Sequence, residues 1–119
     1  MKYLLLIYGN TEKWESIPPA DWPRVVAEQE AWNARYRATG ELLGAYGLGD
    51  SDTAELVLRR DGAPVVTDGP YLETKEYLAS LYLLNVTSAE RAREIAADIP
   101  MADRSPVEVW PVLHESPGQ

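Results

Sequence analysis

The sequence contains no cysteine, and its single histidine is His114. Without thiols the chain cannot form disulfides, thiolate metal sites, iron–sulfur clusters or a cysteine nucleophile. One imidazole cannot build a multi-histidine metal site, and a serine–histidine–aspartate triad would depend on a residue close to the C-terminus. The sequence therefore predicts neither a metal nor a cofactor, and we expect His114 to be an exposed tail residue.

Basic side chains and long apolar runs are also scarce. The chain has 11 Lys and Arg against 19 Asp and Glu, which gives a net charge of −8. Because nucleic acid is held largely by Lys and Arg, no nucleic-acid partner is expected. The apolar run at residues 3–8 is too short for a signal peptide, and nothing later approaches the ~20 residues of a membrane span. These absences predict a cytoplasmic protein with no membrane partner.

What is present is ordinary for a soluble globular domain. Of the 119 residues, 45% are hydrophobic and 25% are charged. Domains commonly hold about 100–150 residues, and the sequence shows no repeat or low-complexity linker. We therefore expect a single domain over residues 1–114, followed by a tail at residues 115–119.

Hydrophobic periodicity predicts two helices and six strands. The helices are expected from about residue 21 to 39, and from a capping box formed by Thr87 and Glu90 to Pro100. Residues 9–20 are expected to form a loop. The strands are expected at residues 2–8, 42–46, 54–59, 64–67, 77–86 and 107–113.

The order of these elements is β-α-β, a hairpin around Asp61-Gly62, and then β-α-β. This is the ferredoxin-like pattern of an α+β protein, with two helices on one face of an antiparallel sheet. Residues 2–8 and 77–86 are apolar on both faces, which is typical of central strands. Since two helices cover only one face, we expect the other face to pack against a second subunit.

One segment, residues 67–76, combines a turn with several charged side chains. Asp68 lies in the turn, and Glu73, Lys75 and Glu76 directly precede a central strand. A carboxylate beside an ammonium group stays ionised and can accept a proton or hold a polar substrate. The segment fits two interpretations, a site of acid/base chemistry or a solvated charged loop. In the first, Asp68 or Glu73 takes a proton and Lys75 stabilises developing negative charge.

Aromatic side chains provide further candidates for binding. Trp32 and Tyr36 lie one helical turn apart, where they either line a pocket for a planar ligand or pack in the core. Tyr8 and Tyr82 lie on strands, and their hydroxyl groups need partners if they are buried. Together with Tyr71 and Glu76 of the charged segment, these residues form the predicted substrate-binding set.

The charged segment also resembles a known family. Residues 66–76 read Val-Thr-Asp-Gly-Pro-Tyr-Leu-Glu-Thr-Lys-Glu. This is similar to the Val-Thr-Asp-Gly-Pro-Phe-x-Glu-Thr-Lys-Glu pattern of the YCII-related family, in the branch named for its Asp-Gly-Pro-Phe motif. Tyr71 stands in place of Phe. The resemblance extends to the opening strand, to Arg59 with the Asp61-Gly62 turn, and to residues 107–112, where Trp110 stands in place of the usual Arg.

The resemblance implies a dimeric α+β barrel with a ligand pocket between helix and sheet, near the motif. A histidine–aspartate pair suggested as catalytic in the broader family cannot be carried over, because no histidine precedes His114. Ala79-Ser80 replaces the two glycines common in this branch, and the added atoms are expected to narrow a pocket. Genes of this branch often accompany or fuse to extracytoplasmic-function sigma factors. The resemblance therefore implies, as an alternative to a small-molecule ligand, that the protein has a sigma factor as a regulatory partner.

Two functions follow as expectations. The first is small-molecule binding, or cofactor-independent acid/base catalysis on a small polar metabolite. The alternative is a non-catalytic regulatory module that associates with a sigma factor. In either case a homodimer through the sheet faces is expected.

Overall fold

A computed structural model describes residues 1–69, 76–116 and 118. Its main sheet contains four antiparallel strands in the order β2-β5-β1-β6. A separate two-stranded sheet is formed by β3 and β4. The strands are β1 Lys2–Gly9, β2 Leu42–Gly47, β3 Glu55–Arg60, β4 Ala63–Asp68, β5 Tyr77–Asn85 and β6 Val107–Pro111. The α-helices are α1 Thr11–Glu15, α2 Trp22–Ala38 and α3 Ala89–Ala97.

The two central strands are β1 and β5, as the doubly apolar pattern predicts. They pair antiparallel, with Leu5 opposite Tyr82 and Ile7 opposite Ser80. A β-bulge between Ile7 and Tyr8 shifts this register before Gly9 meets Tyr77. The predicted ferredoxin-like α+β fold is confirmed.

The core lies on the face of the sheet that α2 and α3 cover. Leu5, Leu84 and Ile95 are fully buried there. Burial of each large apolar side chain contributes about 1.5–3 kcal/mol relative to exposure. The remaining core side chains include those of the strand, helix and loop residues Tyr3, Ile7, Trp32, Tyr36, Leu42, Tyr82, Val86, Ala92 and Ile99.

Two helices differ from the sequence-based prediction, because α3 begins one residue later than expected and α1 lies where a loop is expected. Ser88, not Thr87, is the N-cap of α3, and its hydroxyl accepts a hydrogen bond from the Arg91 backbone N–H. The cap lies one residue later because Ser88 is the residue with extended backbone whose side chain reaches that N–H. The expected loop at residues 9–20 contains α1, whose N-cap Asn10 accepts a hydrogen bond from the Lys13 N–H at 2.7 Å.

The hairpin of β3 and β4 forms around the predicted Asp61-Gly62 turn. Both turn residues have positive φ, 51° for Asp61 and 77° for Gly62. That geometry matches the two-residue turn whose twist suits a hairpin. Val57 pairs with Val66, and Leu58 pairs with Val65. All four of these apolar side chains are exposed.

The second face of the main sheet is apolar and accessible. Leu4 and Leu6 of β1 are half-buried on it. Tyr46 and Trp110 expose 54% and 53% of their surface. The register places Leu4 opposite Trp110, so these side chains lie on one continuous surface. We call this surface the open face.

The helices fall short of what a membrane span requires. Within the part of the chain that the structure describes, no helix is both long and apolar enough to cross a bilayer. The longest described helix, α2, has 17 residues and a polar composition. A span needs about 20 predominantly apolar residues.

Candidate functional site

A cavity of about 560 Å³ opens on the helix side of the main sheet. It lies between α1, the first half of α2 and the ends of β1 and β5 where Gly9 meets Tyr77. The turn Pro100–Asp103 and the connection after β2 close its sides. The resemblance implies a pocket between helix and sheet, and the cavity has this position.

Trp14 of α1 forms one wall of the cavity, and three contacts fix its indole. The indole Nε1 donates a hydrogen bond to the Tyr77 hydroxyl at 2.7 Å. The ring packs against Trp22, with centroids 6.3 Å apart. It also lies against the backbone of Gly9, where an added Cβ would be 2.0 Å from the ring. Only glycine at this position allows the indole to approach the strand so closely.

Residues of β5 form the floor. Tyr82 and Ser80 point to the helix side, since they pair with Leu5 and Ile7. Burial raises the pKa of Tyr82, and the nearby Ser80 hydroxyl partly offsets that rise. The Tyr82 hydroxyl therefore keeps its proton at neutral pH. Ala79 also lines the cavity, so both residues of the Ala79-Ser80 pair lie on its surface.

Behind the floor, two aromatic residues support Tyr82 from the core. The ring of Trp32 meets Tyr82 edge-on at 5.1 Å between centroids, and its Nε1 donates to the Ile95 carbonyl at 3.2 Å. Tyr36 contacts Trp32 and donates its hydroxyl hydrogen bond to Asp98 at 2.7 Å. Both lie in the hydrophobic core and outside the described lining of the cavity.

The last residue of the charged segment contacts α1. The Asn10 Nδ2 donates a hydrogen bond to the Glu76 carboxylate at 3.0 Å, and the Lys13 ammonium lies 3.5 Å from it. Lys13 also donates to the Ser105 hydroxyl at 2.9 Å. Since Glu76 directly precedes Tyr77, this network lies beside the hydrogen bond that holds Trp14.

The other predicted site residues are dispersed. Asp68 is exposed at the end of β4, where it pairs with Glu55 across the hairpin. Tyr8 lies on the open face, and both burial and the Glu108 carboxylate raise the pKa of its hydroxyl. The predicted residues Tyr71, Glu73 and Lys75 lie outside the described residues. The described structure thus brings Tyr82 to the cavity and Glu76 to its border.

Charged side chains surround the mouth of the cavity. Arg24 lies 3.7 Å from Asp21 and 3.9 Å from Glu28, so its charge is shared with two carboxylates. Arg104, which directly follows the turn Pro100–Asp103, also lines the cavity and is exposed. Glu30, Asp50 and Asp103 also line the cavity and are exposed, so we assign them to its mouth. In the described residues, no group of three acidic or histidine side chains converges as metal ligands would.

Sequence reasoning missed the two aromatic residues that define the cavity most closely, Trp14 and Tyr77. Trp14 was hidden because residues 9–20 were expected to form a loop. The signal that could have revealed α1 is Asn10, a strong N-cap residue three positions before Lys13. Tyr77 carries no signal in the sequence beyond its place at the start of a predicted strand.

Two comparisons place the chain among known proteins. A model of the YCII-related domain matches residues 1–116. An uncharacterised protein of Rhizobium meliloti (strain 1021) is 29% identical over 121 aligned residues, which cover 100% of this chain and 98% of the relative. The similarity therefore spans both the cavity and the charged segment.

Proposed function

The chain belongs to the YCII-related family, and we propose that it binds a small organic molecule in the cavity between α1, α2 and the sheet. The observation that carries this proposal is the way Trp14 is held. Its indole is fixed by Tyr77, Trp22 and the missing side chain of Gly9, yet it borders empty space. An aromatic wall ordered before any ligand arrives reduces the entropy lost on binding.

The size and composition of the cavity support the same function. Ligand sites commonly occupy about 300–1,000 Å³ and combine apolar walls with a few polar groups. Here a volume of about 560 Å³ is lined by aromatic rings and by the hydroxyl-bearing floor residues Ser80 and Tyr82. An apolar ligand surface packed against these aromatic walls would be removed from water, which favours binding.

A thermal-shift screen of metabolites tests binding directly. Trp14→Leu removes the indole wall, and Leu113→Ala is the control because Leu113 is 87% exposed and outside the described lining of the cavity. We expect at least one compound to stabilise wild type and Leu113→Ala but not Trp14→Leu. If no compound in a broad library shifts wild type, or if Trp14→Leu responds as strongly, the cavity is not a binding site.

Acid/base catalysis on the bound molecule is the finer form of this proposal. Asp68 or Glu73 would accept a proton and Lys75 would stabilise negative charge. The position of Asp68 on an exposed strand gives this role no support from the described contacts. Wild type should convert a ligand found in the screen to product, and Lys75→Ala should not. If wild type binds the ligand without converting it, the protein is a binding protein and the catalytic form of the proposal is wrong.

We also propose that two copies of the chain pack through the open face. Its support is a continuous apolar surface across the sheet, on which Tyr46 and Trp110 are more than half exposed. Sedimentation of wild type should show a dimer at micromolar concentration, and Tyr46→Glu should be monomeric. Leu113→Glu is the control, since Leu113 is 87% exposed and follows the last strand. A monomeric wild type would contradict the proposal.

The sigma-factor association implied by the resemblance stays a prediction. A pulldown tests it separately from ligand binding. If the association exists, the immobilised protein should retain a specific sigma factor. Retention by both wild type and Trp14→Leu would indicate an interaction surface independent of the cavity.

A further inference from the structure

Four aromatic residues are among those that line the cavity. Trp14 and Trp22 stand on the helical side, and Tyr77 and Tyr82 come from β5. The face of an aromatic ring carries negative electrostatic potential, so it attracts a cation placed over it. Such contacts contribute most when the site excludes water, and tryptophan gives the strongest attraction. A ligand whose positive charge lies over one of these rings would therefore gain an attraction that an equally large neutral or negative ligand lacks.

The charged residues at the mouth of the cavity also favour a positively charged ligand. Arg24 is shared between Asp21 and Glu28. Among residues 1–69 and 76–116, Arg104 makes no ion pair. Within those same residues, the lining carboxylates of Glu30, Asp50 and Asp103 make none either. The unpaired lining residues in the described part of the chain thus carry three carboxylates and one guanidinium, and the chain as a whole carries a charge of −8.

An anionic ligand fits these observations poorly. Its one uncompensated partner at the described mouth would be Arg104, which is exposed and directly follows Asp103. Exposed ion pairs are worth about 0–1 kcal/mol, and the neighbouring carboxylates would repel the same anion. The aromatic faces would add no attraction for it.

We propose that the ligand is an organic cation, a protonated amine or alkylammonium group attached to an apolar body. This inference rests on the proposed binding function. The apolar body packs against Trp14 and Trp22, and the cationic group lies over an aromatic face, within the negative field of the mouth. An ammonium group also donates hydrogen bonds to hydroxyl oxygens, which Ser80 and Tyr82 supply at the floor.

Three probes that share a phenyl ring and differ in charge test the inference. They are 2-phenylethylammonium, 2-phenylethanol and phenylacetate, each titrated into the full-length protein by calorimetry at low and high salt. We expect the ammonium to bind at least fivefold more tightly than the alcohol, and the alcohol more tightly than the carboxylate. Because salt screens charge, the ammonium affinity should fall with added salt while the alcohol affinity stays constant.

A set of charge-removing variants identifies the source of any preference. The test variant neutralises the three unpaired carboxylates of the described mouth: Glu30→Gln, Asp50→Asn and Asp103→Asn. The control variant removes three exposed carboxylates outside the described lining: Glu12→Gln, Asp52→Asn and Asp61→Asn. We expect the test variant to bind the ammonium about tenfold more weakly, since each exposed carboxylate contributes roughly a factor of two, and to bind the alcohol with unchanged affinity. The control variant should resemble wild type for both probes.

The outcomes separate the ligand class from the binding function. If the alcohol or the carboxylate binds as tightly as the ammonium in wild type, the cation inference is wrong while the binding function stands. If the ammonium is preferred but both variants behave alike, the carboxylates of the mouth are not the cause and the inference is wrong in that form. If none of the three probes binds wild type at millimolar concentration, the inference is overturned, and the metabolite screen with Trp14→Leu decides the binding function separately.

Discussion

Replacing Gly9 with alanine should displace the Trp14 indole, because the new Cβ would lie 2.0 Å from one ring atom and 2.7 Å from the next. Carbon atoms in contact sit about 3.5–4.0 Å apart, so the ring must move by more than an ångström. Moving it breaks the 2.7 Å hydrogen bond to Tyr77. That bond is worth about 0.5–1.5 kcal/mol, and overpacking typically costs about 1–3 kcal/mol. We expect Gly9→Ala to lower the free energy of unfolding by about 2 kcal/mol.

Gly47→Ala is the matched control. Gly47 also lies in a strand of the main sheet, and a Cβ there would meet no heavy atom within 4 Å. Both substitutions remove the same conformational freedom from the unfolded chain, so their difference isolates the clash. Urea unfolding followed by circular dichroism gives the two free energies. The emission of Gly9→Ala should also move to longer wavelength as Trp14 enters water.

A double substitution makes the test sharper. In a Trp14→Ala background the indole is gone, so adding Gly9→Ala should cost almost nothing. A coupling of about 2 kcal/mol between the two positions is therefore expected. Equal stability of Gly9→Ala and Gly47→Ala, or an equal cost of Gly9→Ala with and without the indole, would refute the close packing of Trp14 on Gly9.

Two further predictions concern contacts away from the cavity. Arg91 donates two hydrogen bonds to Glu41, at 2.8 and 2.9 Å, and holds the pKa of that carboxyl below its usual value of 4.5. A lowered folded pKa stabilises the protein above pH 4.5, and this stabilisation disappears as the pH falls through the folded value. Wild type should therefore be more stable than Glu41→Gln at pH 7, and urea unfolding should show this difference shrinking as the pH falls below 4.5. A difference in stability that stays constant as the pH falls would contradict the pairing. Ser88→Ala should cost about 1 kcal/mol by loss of the N-cap, whereas Thr87→Ala should be nearly neutral; the reverse order in urea unfolding would restore the capping box expected from the sequence.

The sequence predicted the sheet well because strand burial leaves a direct pattern. Residues 2–8 and 77–86 are apolar at nearly every position, and they became the central strands β1 and β5. The Asp61-Gly62 turn was equally predictable, since few residues tolerate positive φ at both turn positions. Features that only a few residue types can form, such as a fully buried strand or a turn with two positive φ values, can thus be predicted from the sequence alone.

The cavity was not predictable in the same way. It depends on α1, a helix of five residues with no buried side chain and hence no hydrophobic periodicity. It also depends on which face of β5 carries Tyr82, and alternation along a doubly apolar strand does not decide this. The β1–β5 register, which pairs Leu5 with Tyr82, fixes that face through long-range contacts. Similarly, Trp32 and Tyr36 fitted either a pocket or the core from spacing alone, and the structure places them in the core.

The end of the charged segment, Glu76, is connected to the cavity wall through one amide side chain, that of Asn10. Asn10 accepts a hydrogen bond from the Lys13 N–H with its Oδ1 and donates one to Glu76 with its Nδ2. These two hydrogen bonds hold the amide in one orientation. If it were reversed, its NH₂ group would meet the Lys13 N–H, donor against donor, and its oxygen would meet the Glu76 carboxylate, acceptor against acceptor. Glu76 therefore stabilises the cap that starts α1, and α1 presents Trp14 to the cavity. Through this chain of contacts a charged residue outside the described lining supports the helix that carries an aromatic wall.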